Sequence, residues 1–307
     1  MNTDALDTVA AAREHQQLID ELWDFADPAA SEARLSAAAT DPANANVRLV
    51  LETQVARAVG LGGRFEEALG VLDELGARTG AESEVAVRML LERGRVLNSS
   101  GSPADARPVF ESAYELASAS GFEHLAIDAL HMIAIVAPAD EQVALNERAF
   151  DLARGASDPR ARDWRASLLN NLGWTRFEAG DLDEALALFE EQVVERVRQG
   201  KAREIGVARW SVGRALRALG RLDEALASQL DLVQWMAAAE LTDSYIEEEI
   251  AECLVALGRP EDAAAHFALA AGLLEAAGPG EDPDAERLAR LRGLAAQRRT
   301  TPEPEMD

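Results

Sequence analysis

Cysteine occurs once in this chain, at Cys253, and lysine once, at Lys201. A single cysteine excludes an internal disulfide framework and a thiolate metal cluster; Cys253 lies in an apolar helical stretch and reads as core. No run of about 18 apolar residues occurs, which argues against a spanning helix. The first twenty residues lack a basic segment followed by an apolar one. A soluble, cytoplasmic protein is expected. Positive charge is scarce: the formal net charge is −25. Duplex nucleic acid and anionic membranes are therefore poor partners, since binding them rests on neutralising phosphate. Aromatic residues make up only 5% of the chain. Phosphate-loop, HExxH and GxSxG phrases are missing as well. His124 and His131 are seven residues apart, about 10.5 Å along a helix, too far to share one metal ion easily. Neither cofactor nor metal is expected.

What fills the chain instead is Ala, Leu, Glu, Asp and Arg, a composition that favours helix over strand. One phrase recurs: "GRFEEAL" at 63, "GSPADAR" at 101, "GDLDEAL" at 180, "GRLDEAL" at 220 and "GRPEDAA" at 258. Its glycine suits the left-handed residue past a helix end. Acidic residues follow at the positive end of the next helix dipole, and Pro103 and Pro260 fit a first helical position. The phrase is a helix stop, a tight turn and a helix start. Ala68, Ala106, Ala185, Ala225 and Ala263 stand five after each glycine and let two antiparallel helices approach. Leu72, Phe110, Phe189 and Phe267 then fill the space one turn on. Gln229 breaks that pattern and predicts looser packing in its repeat. A degenerate copy at 131–150 has Ala137 in the glycine slot. The six turns at 63, 101, 137, 180, 220 and 258 are then 38, 36, 43, 40 and 38 residues apart, a period of stacked helix pairs.

The stretch "LLNNLGWTRFEAGDLDEALALFEEQ" at 168–192, with Leu172, Gly173, Gly180, Ala185 and Phe189, resembles the tetratricopeptide repeat. "VGRALRALGRLDEAL" at 212–226 repeats it. HEAT-like pairs are the alternative, but they leave the glycine and alanine five apart unexplained. The chain's period exceeds the family's roughly 34 residues, and Arg176 stands where the family prefers an aromatic. The resemblance implies an all-α, right-handed superhelical α-solenoid of about six helix pairs with capping helices at both ends. Residues 1–47 read as N-terminal capping helices with Trp23 and Phe25 as core. The array covers 48–277, a linker and C-terminal capping helix 278–299, and a disordered acidic tail 300–307.

In that family the first helix of each pair lines a concave face, at thirteen, ten, six and three residues before the turn. Six before the turns stand Arg57, Arg95, His131, Trp174, Arg214 and Glu252. Neighbouring lining positions add Arg88, Asn98, His124, Asn170, Phe177, Trp210, Arg217 and Tyr245, with Asn171 beside them. Arginine gathered on one face of so acidic a chain would draw an anionic segment inward. Trp174, Trp210 and Arg214 have the chemistry of binding hot spots, and Asn170 and Asn171 suit a peptide backbone or terminal carboxylate. The competing reading is that Asp and Glu consume these arginines in internal ion pairs.

The expectation is thus a protein–protein interaction scaffold. Its partner-binding residues would be Arg57, Arg88, Arg95, His131, Asn170, Asn171, Trp174, Trp210, Arg214 and Arg217. Its partner would be an extended or helical peptide, acidic or ending in a carboxylate. Self-association is compatible with the sequence, and the acidic tail is itself a candidate occupant. The alternative is a ligand- or peptide-responsive regulator acting in trans. Enzyme activity, for instance through His131, Asp128 and Arg95, is not expected.

Overall fold

A computed structural model describes residues 3–80, 83–276 and 285–296. The described residues form fifteen α-helices and one 3-10 turn, with no strand. The chain divides into two compact units, residues 1–168 and 169–307. The first holds α1 (Thr3–Leu22), α2 (Pro28–Thr40), the 3-10 turn Pro42–Asn44, α3 (Arg48–Leu61), α4 (Phe65–Gly76), α5 (Glu84–Ser99), α6 (Pro103–Ser120), α7 (Glu123–Val136) and α8 (Ala139–Gly155). Helix α9 (Pro159–Ala179) begins in the first unit and ends in the second. The second continues with α10 (Leu182–Gln199), α11 (Ala202–Ala218), α12 (Leu222–Ala238), α13 (Ser244–Ala256), α14 (Pro260–Ala276) and α15 (Ala285–Ala296). No described helix is long and apolar enough to cross a membrane.

The recurrent phrase makes the turn its chemistry predicts. Gly63, Gly101, Gly180, Gly220 and Gly258 all adopt positive φ, between 74° and 90°. The next residue then donates its N–H five residues back, as Asp181 does to Arg176 at 2.9 Å and Arg259 to Leu254 at 2.8 Å. This closure satisfies carbonyls that a helix end would leave orphaned. Pro103 and Pro260 open α6 and α14. The degenerate turn differs: Ala137 is extended, at φ −78° and ψ 154°, with Pro138 behind it.

Packing within a pair depends on the glycine seven residues before the turn. A Cβ on Gly94 would lie 2.3 Å from the Phe110 ring, and one on Gly173 would lie 2.4 Å from Phe189. Each ring is fully buried in the recess that its missing methyl opens. Gln229 overturns the looser packing read from the sequence. It is 0% exposed, occupies the same recess below Gly213, and donates its amide to the Trp210 carbonyl at 3.1 Å.

At the N-terminal end, Asp27 caps α2 by accepting from the Ala30 N–H at 2.9 Å. Ile19, Leu35, Val50 and Leu51 form the local core, with Trp23 packed at its edge. Phe25 does not join it, contrary to expectation: it is 63% exposed and stacks on Trp23 at 4.8 Å. The turn after α1 carries it past the core edge. In the second unit Leu291 of α15 is fully buried among residues of α13 and α14. The tail read at 300–307 lies outside the described residues.

Candidate functional site

Each unit carries part of the lining stripe, and the two parts differ in chemistry. In the first unit the stripe is an ion-pair ladder. Arg95 of α5 donates to Glu92 at 2.6 Å and to both oxygens of Asp128 on α7, at 2.5 and 2.7 Å. Glu92 also faces Arg57 of α3 at 3.8 Å. Burial opposes ionisation of Asp128, but the charges of Arg95 and Arg57 outweigh it and hold the carboxyl down to about 2. Arg57 makes no such fork; its guanidinium lies over the Trp23 and Phe25 rings at 5.6 and 5.3 Å. Burial and the neighbouring Arg95 pull its pKa down. His131 packs its ring 5.1 Å from Trp164, whose indole donates to His124 at 3.1 Å. Burial lowers the pKa of both histidines. Arg88 is only 4% exposed, because α1 covers it; it binds Glu84 at 2.7 Å and Gln16 at 2.8 Å.

In the second unit the stripe becomes aromatic. Trp174 contacts Phe177, Phe189 and Trp210 at ring distances of 5.3, 5.0 and 5.7 Å. Trp210 continues to Tyr245 at 5.7 Å and donates its indole N–H to the Tyr245 carbonyl. Arg214 lies over Phe177 and Trp210. It shares Glu249 with Arg217, which forks onto that carboxylate at 2.5 and 3.1 Å. Burial opposes the Arg217 charge, yet Glu249 raises its pKa. Asn170 accepts from Gln192 at 3.2 Å, and the Asn171 carbonyl accepts from Thr175 at 2.9 Å.

A groove of about 580 Å³ opens beside this ladder. Trp210, Arg214, Arg217 and Tyr245 line it together with Arg287 and Arg290 of α15, and glutamates such as Glu248, Glu249 and Glu252 stand among them. Arg287 stacks on Tyr245 at 3.6 Å and pairs with Glu248 at 2.7 Å. Arg290 pairs with Glu248 and Glu252. Within the groove one polar atom stands out: the Arg214 Nε is buried and has no acceptor.

The pairings follow a rule. The residue six before one turn meets the residue nine before the next: Arg57 with Glu92, Arg95 with Asp128, Arg214 with Glu249. Glu252, the last of the series, finds its opposite charge in α15. The competing reading of internal ion pairs thus describes Arg88, Arg95, Arg214 and Arg217: all four are hydrogen-bonded to carboxylates. Sequence reasoning missed the carboxylates and the α15 arginines. The signal for the former was present: Glu92, Asp128 and Glu249 each stand nine before a turn.

This arrangement is that of a helical-repeat protein: within each unit, side chains on successive first helices meet one another. Residues 166–191 and 206–228 match the tetratricopeptide repeat family model. Those two stretches carry the family's repeat, and the chain has the all-helical fold of tetratricopeptide-like repeats. No curated protein matches its sequence significantly. Among solved structures, a tetratricopeptide repeat protein from Parabacteroides merdae is similar at 18% identity over 92% of this chain and 99% of that one, with a TM-score of 0.50. The apo form of RapI is similar at 10% identity over 94% and 79%, with a TM-score of 0.66. A signal transduction ATPase with a tetratricopeptide repeat sensor, from Pyrococcus horikoshii, is similar at 10% identity over 88% and 44%, with a TM-score of 0.61. At these identities the likeness is one of fold.

Proposed function

We propose that the chain is a protein-interaction scaffold, and that the second unit grips a partner peptide segment in the groove between α11, α13 and α15. The observation that carries this reading is the buried, unpartnered Arg214 Nε beside an aromatic ladder in a groove of about 580 Å³. An apolar or aromatic side chain of the segment packs on Trp210 and Tyr245. A carbonyl or carboxylate oxygen accepts from Arg214, a charge-assisted bond of the stronger kind. Because Glu249 already neutralises Arg214 and Arg217, one acidic group suits the groove better than a run of them. Work of this kind is binding rather than catalysis, and it fits a cytoplasmic location.

The test is affinity capture from the native lysate with wild type, Trp210→Ala and Tyr245→Ala as baits, circular dichroism confirming that each is folded. Proteins recovered by the wild type and lost from both variants support the reading. The same set on all three baits refutes it.

A further inference from the structure

In the first unit the chain lays its own first helix over a bed of polar and apolar side chains. Helix α1 reaches across α5, the start of α7 and the start of α9. Four of its side chains help to hold it there. Arg13 pairs with Asp158 at 3.3 Å and His15 with Glu84 at 2.7 Å. Gln16 accepts from Arg88 at 2.8 Å, and Asp20 pairs with Arg160. Between them Val9 and Ala12 pack on the apolar cluster that contains Phe122 and Leu125. Only about 20 Å³ of space remains beneath the helix. The fit is therefore that of a helix in a shaped bed.

The two ends of α1 are attached differently. Ile19 is 2% exposed, and with Leu18 and Leu22 it belongs to the core of α2 and α3. Upstream of residue 17 the hold is mainly polar. No residue from 8 to 18 is fully buried, and the Arg13 side chain is partly exposed in its pair, where such contacts contribute little net stability; His15 and Gln16 meet the buried Glu84 and Arg88. The residues of the bed also bond to one another. Arg88 orients Glu84 within α5. Asp158 accepts from the Arg160 N–H at 2.9 Å, and Glu123 accepts from the Ser157 and Asp158 N–H groups.

We propose that this bed is a helix-docking site and that α1 is its tethered, displaceable occupant. The partner is an amphipathic helix of another protein that copies the face of α1. It carries a basic residue for Asp158 and, seven positions later, an acidic one for Arg160. Small apolar residues one and four positions before the basic one meet Phe122 and Leu125. The site is independent of the groove in the second unit.

The probe is a fluorescent synthetic peptide of residues 3–22, titrated against the full-length chain. Glu14→Pro is the releasing variant. Glu14 is exposed and touches no bed residue, and proline there removes a helix hydrogen bond and clashes with the preceding turn. We expect the peptide to bind the Glu14→Pro chain at least about tenfold more tightly than the wild type, whose site is occupied. A peptide with Arg13→Asp and Asp20→Arg should not bind. Failure of the native peptide to bind the variant, or equal binding of both peptides, overturns the proposal. So does a variant that elutes as a dimer excluding the peptide, which would mean exchange of α1 between copies. Hydrogen exchange on the wild type gives a reading that needs no variant. Amides 8–16 should exchange at least about tenfold faster than those of α5, as expected of a locally opening segment; equal protection overturns the idea.

Discussion

Breaking the Arg95–Asp128 pair should be costly, while replacing both members should cost well under the sum of the two single changes. Arg95 is mostly buried, and its fork onto Asp128 has oxygens at 2.5 and 2.7 Å. Asp128→Leu leaves that guanidinium with Glu92 alone, a carboxylate already facing Arg57. Removing one partner of a buried pair typically costs about 3–5 kcal/mol, whereas a well-packed apolar replacement of both is often neutral. We expect Arg95→Met and Asp128→Leu each to cost about 3 kcal/mol, and the double variant to cost about as much as either alone and not their sum, because losing Arg95 leaves the buried Glu92 to Arg57. The assay is urea unfolding followed by far-ultraviolet circular dichroism and extrapolated to water. The pH dependence supplies a second check. The Asp128 carboxyl falls from 3.8 to about 2 on folding, equivalent to about 2 kcal/mol. A depressed carboxyl stabilises above its unfolded pKa and loses that contribution as pH falls through the folded one. The difference between wild type and Asp128→Leu should therefore stay level from pH 7 to 4 and narrow only below 4. Additive single costs under about 1 kcal/mol, or narrowing that begins between pH 6 and 5, would refute the reasoning.

Two further outcomes follow from packing. Alanine normally stabilises a helix relative to glycine, but Gly173→Ala would drive a methyl to 2.4 Å from the Phe189 ring. We expect it to cost about 2 kcal/mol by overpacking; a stabilised variant in the same urea assay would contradict the recess. Cys253 is fully buried, and burial together with Glu249 pushes its thiol up to about 12. It should resist a disulfide reagent at pH 8 for hours in the native protein and react completely in urea; rapid native labelling would show that α13 opens readily.

Much of the fold was legible because its determinants are local. A glycine past a helix end, acids in the next turn and an alanine five residues on act within a few residues of one another. Their recurrence identified the helix pairs and where they turn. The stripe six before each turn was also legible. What its side chains do was not, since each arginine finds its carboxylate about 33–35 residues further along the chain. The partners fall into register only when successive helices are stacked, and they stand on a row adjacent to the one that family analogy selects. Gln229 was misjudged for a related reason. Its amide N–H donates to the Trp210 carbonyl across the pair, a contact that no propensity records.

The sequence by itself determined the helical class, the turns and the crowding of charge and aromatic rings on the first helices. Those features are set by backbone conformation and by side chains three, four or five residues apart, distances that one helix spans alone. Only the tertiary structure decided which charges are spent and which surfaces are open. It paired Arg88, Arg95, Arg214 and Arg217 internally, stacked Arg287 of α15 on Tyr245 and set Arg290 at the same groove, and laid α1 over Arg88. Such choices depend on through-space electrostatics and burial among residues distant in sequence, and those exist only once the helices have packed.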